Sequence, residues 1–351
     1  MVMKDDILDK SPTEIMDILK QLGEPSFRVK QLLGWVYKGK RSFDEMTNLP
    51  KTTRIRLKER YMIGNVKQIK KITSDKGDTI KYLCLLHDGN IIECVVMRYD
   101  YGNTLCLSTQ VGCRMGCSFC ESTRQGLIRN LKVGEMVAQV LMVNADLGET
   151  GERNIRNIVL MGSGEPLDNF DNVVKFLGLI HDPNTLNISY RNITLSTCGL
   201  VSKIRELANM DIPITLAISL HAPNDALRRR IMPVASAYSV REIVEAAKYY
   251  FNRTGRRVSF EYSLIDGIND GVEQAEELGR LLADFPCHVN IIPINSIEGA
   301  PYRRSSAARI QLFEKTLRST GIQVTRRREL GHDIGGACGQ LKRGYLNNSE
   351  G

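Results

Sequence analysis

Cys113, Cys117 and Cys120 follow the spacing Cys-x3-Cys-x2-Cys, which places three soft ligands within eight residues. A loop this compact can point all three thiolates at one centre. Structural zinc draws a fourth Cys or His from close by, whereas here the next Cys is Cys198 and the next His is His181. Three thiolates on a [4Fe-4S] cluster leave one iron without a protein ligand, open to a molecule that can chelate it. The same residues also allow a zinc site completed from a distance, or three buried thiols.

A second group of candidates is polar. Gly164-Glu165-Pro166 follows a predicted strand, where a carboxylate can accept hydrogen bonds from an amino group. Ser196, Ser219, His221 and Asn295 fall at the ends of three further predicted strands and share one mouth if those strands curve into a barrel. Each alone serves equally well as a helix cap or as partner to a buried backbone group, so their weight comes from convergence. Cys106 sits on the first predicted barrel strand and Cys338 in the stretch Gly335-Gly336-Ala337-Cys338-Gly339, where glycines permit close backbone approach. An unpaired cysteine is ordinarily a small hydrophobe. Glu93, in Ile92-Glu93-Cys94, reads from its pattern alone as an outward-facing strand residue.

These residues need elements that hold them together. Short β-branched or apolar runs at 104–109, 157–161, 192–196, 215–220, 258–264 and 288–293 alternate with helical patterns at 133–147, 172–180, 240–250 and 272–283. Alternation of this kind predicts an α/β fold with a parallel sheet, which six βα units bend into a partial (βα)6 barrel with chemistry at the C-terminal ends of its strands. A helix near 308–320 and a strand near 323–326 follow. Ahead of the barrel, Ser11-Pro12-Thr13-Glu14 is a capping box opening a helix that Gly23 and Pro25 stop, and helices over 27–38 and 52–61 complete a small basic domain. Residues 71–78 read as a linker. Runs at 79–86 and 91–98 meet across Asp88-Gly89 as a β-hairpin. The expected organisation is a helical RNA-binding domain over 1–66, a linker and hairpin over 67–100, the barrel over 101–325 and a tail over 326–351.

At 351 residues the chain exceeds a typical single domain, yet one barrel with small additions uses it all. Hydrophobic residues at 42% supply a sizeable core and exclude a disordered chain. The opening residues mix Lys4 and Lys10 with Asp5, Asp6 and Asp9 and lack an apolar stretch, which argues against a secretory signal, and no run approaches membrane-spanning length. Nine cysteines without such a signal point to a reducing cytoplasm and to thiols used for metal binding or catalysis. The net charge of +8 is concentrated near the front, where residues 28–71 hold thirteen Lys and Arg against three acids, a distribution suited to a polyanion or to a solvated helical surface.

The cysteine spacing resembles that of the radical S-adenosylmethionine (SAM) superfamily, and its neighbours sharpen the likeness. Leu105-Cys106-Leu107-Ser108-Thr109-Gln110-Val111-Gly112-Cys113, Met161-Gly162-Ser163-Gly164-Glu165-Pro166, Leu195-Ser196-Thr197, Ser219-Leu220-His221-Ala222-Pro223-Asn224-Asp225 and Ala337-Cys338-Gly339-Gln340-Leu341 resemble the dual-specificity RNA adenine-C2 methyltransferases. Ser163 departs from that pattern, which more usually has Met there. The resemblance implies a [4Fe-4S] cluster on Cys113, Cys117 and Cys120, and SAM contacts from Gly164, Glu165, Ser196, Ser219, Leu220, His221 and Asn295. It implies that one SAM methylates Cys338 and that a second yields a 5′-deoxyadenosyl radical, which takes hydrogen from that methyl. The carbon radical then adds to adenine C2, Glu93 removes the C2 proton, and Cys106 attacks Cys338, releasing product and leaving a transient disulfide. Such enzymes act on 23S rRNA and on the tRNA adenosine just 3′ of the anticodon. A reducing electron donor such as flavodoxin, a monomeric chain and no membrane partner are the further expectations. Two alternatives stand beside this: the related adenine-C8 methyltransferase of antibiotic resistance, and a non-catalytic RNA-binding protein stabilised by zinc.

Overall fold

Parallel strands buried on both faces need apolar side chains on the helix-facing side and tolerate small polar ones inside the curve. Ile193 and Leu195 are buried to the core while Thr194 and Ser196 alternate with them and stay partly open. The computed structural model describes residues 4–64, 66–149, 151, 154–294, 301–328, 330–331 and 333–336. Among these, one ten-stranded sheet runs through β1 (Lys67–Thr73), β2 (Thr79–Leu85), β3 (Ile91–Tyr99), β4 (Gly102–Cys106), β5 (Ile155–Leu160), β6 (Ile193–Thr197), β7 (Thr215–Ser219), β8 (Val258–Leu264), β9 (His288–Pro293) and β10 (Gln323–Arg326). Every strand lies beside its predecessor in sequence. Strands β1 to β4 pair antiparallel, and β4 to β10 pair parallel.

Helices link the parallel strands: α4 (Val133–Glu149), α5 (Phe170–His181), α6 (Val201–Ala208), α7 (Asp225–Ile231), α8 (Val240–Thr254), α9 (Val272–Leu282) and α10 (Ala307–Ser319). Before the sheet come α1 (Pro12–Gln21), α2 (Phe27–Val36) and α3 (Lys51–Arg60). The predicted capping box forms: the Glu14 N–H donates to Ser11 Oγ at 3.2 Å and the Ser11 N–H to Glu14 Oε2 at 2.6 Å. The front helices share one apolar core with the barrel, and Asp9 Oδ1 accepts from the Gly134 N–H at 2.6 Å, satisfying a donor at the start of α4. No helix among the described residues is long and apolar enough to cross a membrane.

Residues 71–78 are a linker only in part. Lys67–Thr73 forms the outer strand β1, pairing Ile72 with Lys81 and Thr73 with Ile80, so the hairpin is a three-stranded extension before β4. Its Lys-rich, exposed composition hides it from hydrophobic patterning, and the same lysines blunt a free sheet edge.

At the C-terminal end of β4 the chain is steered by buried polar groups. Gln139 of α4 accepts from the Ser108 N–H and donates to the Ser108 carbonyl, both at 3.1 Å. Ser108 Oγ donates to the Glu93 carbonyl at 2.7 Å and accepts from the Ser163 N–H at 2.9 Å. The turns after β4 and β5 therefore touch closely, and a Cβ on Gly162 would lie 2.6 Å from the Leu107 carbonyl oxygen. Gly162→Ala is expected to destabilise the protein by about 1–3 kcal/mol, the usual cost of overpacking against backbone. A lowered denaturant midpoint at unchanged m-value would show it.

Candidate active site

The cysteine loop is closed at its neck by a short strand pair, Gln110–Gly112 against Leu127–Asn130. Gly112 has φ +77°, and a Cβ there would meet the Gly126 carbonyl oxygen at 2.0 Å, so only glycine allows this closure. Inside the loop, the Cys120 N–H donates to the Cys117 carbonyl, and Thr123 Oγ1 donates to the carbonyls of Cys117 and Cys120. The loop is docked on the end of α7, where the Ile231 carbonyl accepts from both the N–H and Oγ of Ser118 at 3.0 Å.

Cys113, Cys117 and Cys120 line one cavity. Gly164, Glu165, Ser196, Ser219 and His221, from the ends of the parallel strands and the turns after them, line the same cavity. These eight predicted residues are therefore brought together. Leu220, between two of them, turns its side chain into the core and offers only backbone: its N–H donates to the Glu261 carbonyl at 3.1 Å. Asn295 and Cys338 lie outside the described residues.

Glu165 is fully enclosed, with Oε1 accepting from the Leu167 N–H at 3.0 Å and Oε2 from the Cys198 N–H at 2.7 Å. Burial still pushes its carboxyl up, against the pull of those amides. His221 takes a left-handed backbone, φ +57°, and its Nδ1 accepts from the Ser263 N–H at 2.9 Å. That bond fixes the tautomer with Nε2 as donor, and burial with the nearby Arg228 charge lowers the imidazole to about 3. The His221 ring packs edge-on against Phe119 of the cysteine loop at 4.9 Å.

The donor set suits a cluster better than a lone ion. Burial pushes Cys113 up to about 12 and raises Cys117 as well, so a centre bound here must repel protons with positive charge of its own. Arg228 of α7 supplies an independent sign. It is 0% exposed; Nε donates to the Leu220 carbonyl, Nη2 to those of Cys198 and Ser219, and Nη1 is buried with no partner among the described residues. A buried cation without a carboxylate partner is costly, and an anionic thiolate-bound cluster in the adjoining pocket supplies the missing negative charge. Cys113, Cys117 and Cys120 would hold that cluster.

Cys106 and Glu93 lie beside this cavity and do not line it. Cys106 pairs with Val95, and Glu93 precedes Val95 by two residues, so both point to one face of the sheet. Glu93 is buried, correcting the outward placement that its pattern suggests. Lys81 on β2 shares this face, with Nζ 3.6 Å from Glu93 Oε1. The C-terminal segment crosses the same face: Leu330 packs with Cys106 and Val95, and Lys81 Nζ donates to the Gly335 carbonyl at 3.3 Å.

Several cavity residues escape sequence reasoning. Glu261 on β8 is buried in the lining, with Oε2 accepting from Asn290 at 2.9 Å, and Arg327 lines the cavity just beyond β10. A carboxylate inside Val258–Leu264, a strand expected to be buried on both faces, is the signal that marks Glu261. Nothing in the run Arg228-Arg229-Arg230 distinguishes the buried first arginine from its exposed neighbours.

Comparisons with known proteins agree with this arrangement. Residues 107–282 match the family model of the Radical SAM superfamily, and residues 5–63 match that of the Ribosomal RNA large subunit methyltransferase N-terminal domain. The chain is 54% identical over 345 residues to the probable dual-specificity RNA methyltransferase RlmN of Alkaliphilus oremlandii, covering 98% of this chain and 99% of that one. It is 50% identical over 347 residues to the protein of the same name from Clostridium acetobutylicum, covering 99% of each. The crystal structure of a radical SAM methyltransferase from Sphaerobacter thermophilus superposes with a TM-score of 0.93 at 43% identity, covering 97% of this chain and 99% of that one.

Anaerobic reconstitution is expected to load about four iron and four sulfide per chain. Alanine at Cys113, Cys117 or Cys120 should abolish that loading, whereas Cys198→Ala, in the same cavity, should retain it; metal and sulfide analysis checks both. His221 yields a second expectation. Its ordinary value is 6.5 and its folded value about 3, so between them the unfolded chain holds a proton that the folded chain refuses. Its contribution to stability is whole above pH 6.5 and falls as pH drops toward 3. Acid titration of folding should accordingly be shallower for His221→Asn, which tolerates the left-handed backbone, than for the parent.

Proposed function

This chain belongs to the radical SAM dual-specificity RNA methyltransferases, and on that footing we propose that it methylates C2 of an adenine in 23S rRNA and of the tRNA adenosine just 3′ of the anticodon. The observation that carries this reading is the shared buried face of Glu93 and Cys106 with the C-terminal segment lying across it. Cys338, two residues beyond Gly336 in sequence, lies outside the described residues.

When bound, the cluster and two SAM molecules per turnover supply a methyl group and the means to take a hydrogen atom from it. Around that chemistry the protein's groups have distinct tasks. Glu165, Ser196, Ser219, His221 and Asn295, with the backbone of Gly164 and Leu220, hold and orient SAM. Cys338 accepts the methyl on sulfur and presents its carbon to C2, an electron-poor position with no useful nucleophilicity of its own. The bond formed there tethers the base to Cys338. Glu93 receives the C2 proton, with Lys81 beside it to settle the resulting charge balance. The odd electron left on the ring as that proton departs returns to the electron-transfer partner. Cys106, as a thiolate, then attacks the Cys338 sulfur and breaks the sulfur–carbon tether; the released carbon takes up a proton to become the product's methyl, and a disulfide is left for an external dithiol to reduce.

Thirteen cations over residues 28–71 provide phosphate contacts, and an unpaired adenine entering the strand-end mouth provides selectivity. A low-potential donor such as flavodoxin, a monomeric chain and a cytoplasmic setting complete the proposal.

Cys338→Ala is expected to abolish product, and Cys106→Ala to accumulate a covalent RNA adduct at Cys338. Mass spectrometry of digested RNA should find 2-methyladenosine from the parent protein. An 8-methyl product, or normal turnover by either variant, would contradict the proposal.

A further inference from the structure

We propose that Arg228 is a positioning residue for electron transfer: a fixed, buried positive charge beside the cysteine loop that makes the cluster easier to reduce. The inference rests on the iron-sulfur cofactor and is independent of the position methylated on the base.

The first observation is burial without an ion-pair partner. Arg228 is fully enclosed on α7 and forms no salt bridge among the described residues; its partners there are the carbonyls of Cys198, Ser219 and Leu220, and Nη1 has none. Three carbonyls orient a guanidinium but do not neutralise it. Asp225, one turn earlier on the same helix, spends Oδ1 on the Val240 N–H. His221, on the other side, is neutral. Of the two acids lining the pocket, Glu165 is already held by two backbone amides and Glu261 accepts from Asn290, and neither forms an ion pair with Arg228 among the described residues.

The second observation is where this charge sits. The turn that Arg228 braces carries the cysteine loop: Ile231, three residues on, receives both Ser118 bonds, and Cys117 packs against the apolar group of Cys198, Ile231 and Met232. Gly116 faces the Pro233 ring, where a Cβ would stand 3.2 Å from Pro233 Cγ. Arg228 also lies within electrostatic reach of the Cys117 and Cys198 sulfurs. The surroundings are apolar, so the field of a fixed charge is weakly screened.

Reduction adds one electron, supplied by the external donor, and hence one negative charge to an assembly already anionic through its three thiolates. A neighbouring cation stabilises the reduced form more than the oxidised form, and so raises the midpoint potential.

The test is an EPR-monitored redox titration of full-length, anaerobically reconstituted protein, comparing the parent with Arg228→Lys and Arg228→Gln at matched iron content. Arg228→Gln should lower the reduced-to-oxidised ratio at fixed potential by on the order of tenfold, about 59 mV for one electron. Arg228→Lys, which keeps the charge and loses the carbonyl clamp, should stay within about threefold of the parent. Equal drops in both variants would make the clamp responsible and overturn the proposal, as would an unmoved midpoint in Arg228→Gln. If Arg228→Gln fails to retain a cluster, Arg228→Lys decides: a parental midpoint supports the charge, and a lowered one or lost cluster overturns it. Absence of iron from the parent itself would instead overturn the cofactor assignment.

Discussion

A charge buried at the ends of a parallel sheet must meet an opposite charge or a set of oriented dipoles. The pocket residues obey that rule one by one. Glu165 spends both oxygens on backbone amides, and His221 is held neutral with one nitrogen accepting from Ser263. Arg228, just behind the cavity wall, has no ion-pair partner among the described residues, and its charge reaches the Cys117 sulfur. Oriented carbonyls can direct a cation, but only an anion discharges the cost of burying it. The surrounding structure is arranged around the cluster that would provide this anion.

Geometry follows from the same constraint. The chain leaving β4 must stop being sheet and become a ligand loop within a few residues, and its freed backbone groups cannot go unpaired. Gln139, Ser108 and the Ser163 backbone take up those groups at the turn, and Asn169 Nδ2 donates to the carbonyls of Thr109 and Leu131 at 2.9 Å. The ligand loop thus hangs from a polar knot at its root and rests on α7 at its tip. Cys106 and Glu93 share the sheet face that the segment through Leu330 and Gly335 crosses.

Much of this was legible from residue order. The runs that became β5 to β9 are apolar because both faces of a parallel sheet are covered, and the Cys-x3-Cys-x2-Cys spacing identifies its loop before any fold is known. What escaped did so for physical reasons. Strand β1 is a lysine-rich edge whose stability comes from a neighbour, and composition does not carry that information. Glu93 takes its burial from the partner strands on either side and the segment that crosses them, so local alternation misplaces it. Arg228 is one of three consecutive arginines, and only the direction in which α7 packs decides which of them is enclosed.

The central claim is that the three cysteines leave one cluster iron open to SAM. Electron-nuclear double resonance on the reduced, reconstituted protein, with SAM carrying ¹⁵N at its amino group, tests this most directly. The account predicts a nitrogen hyperfine coupling to the cluster that vanishes without SAM. A reduced cluster with unlabelled behaviour in the presence of saturating SAM would contradict it.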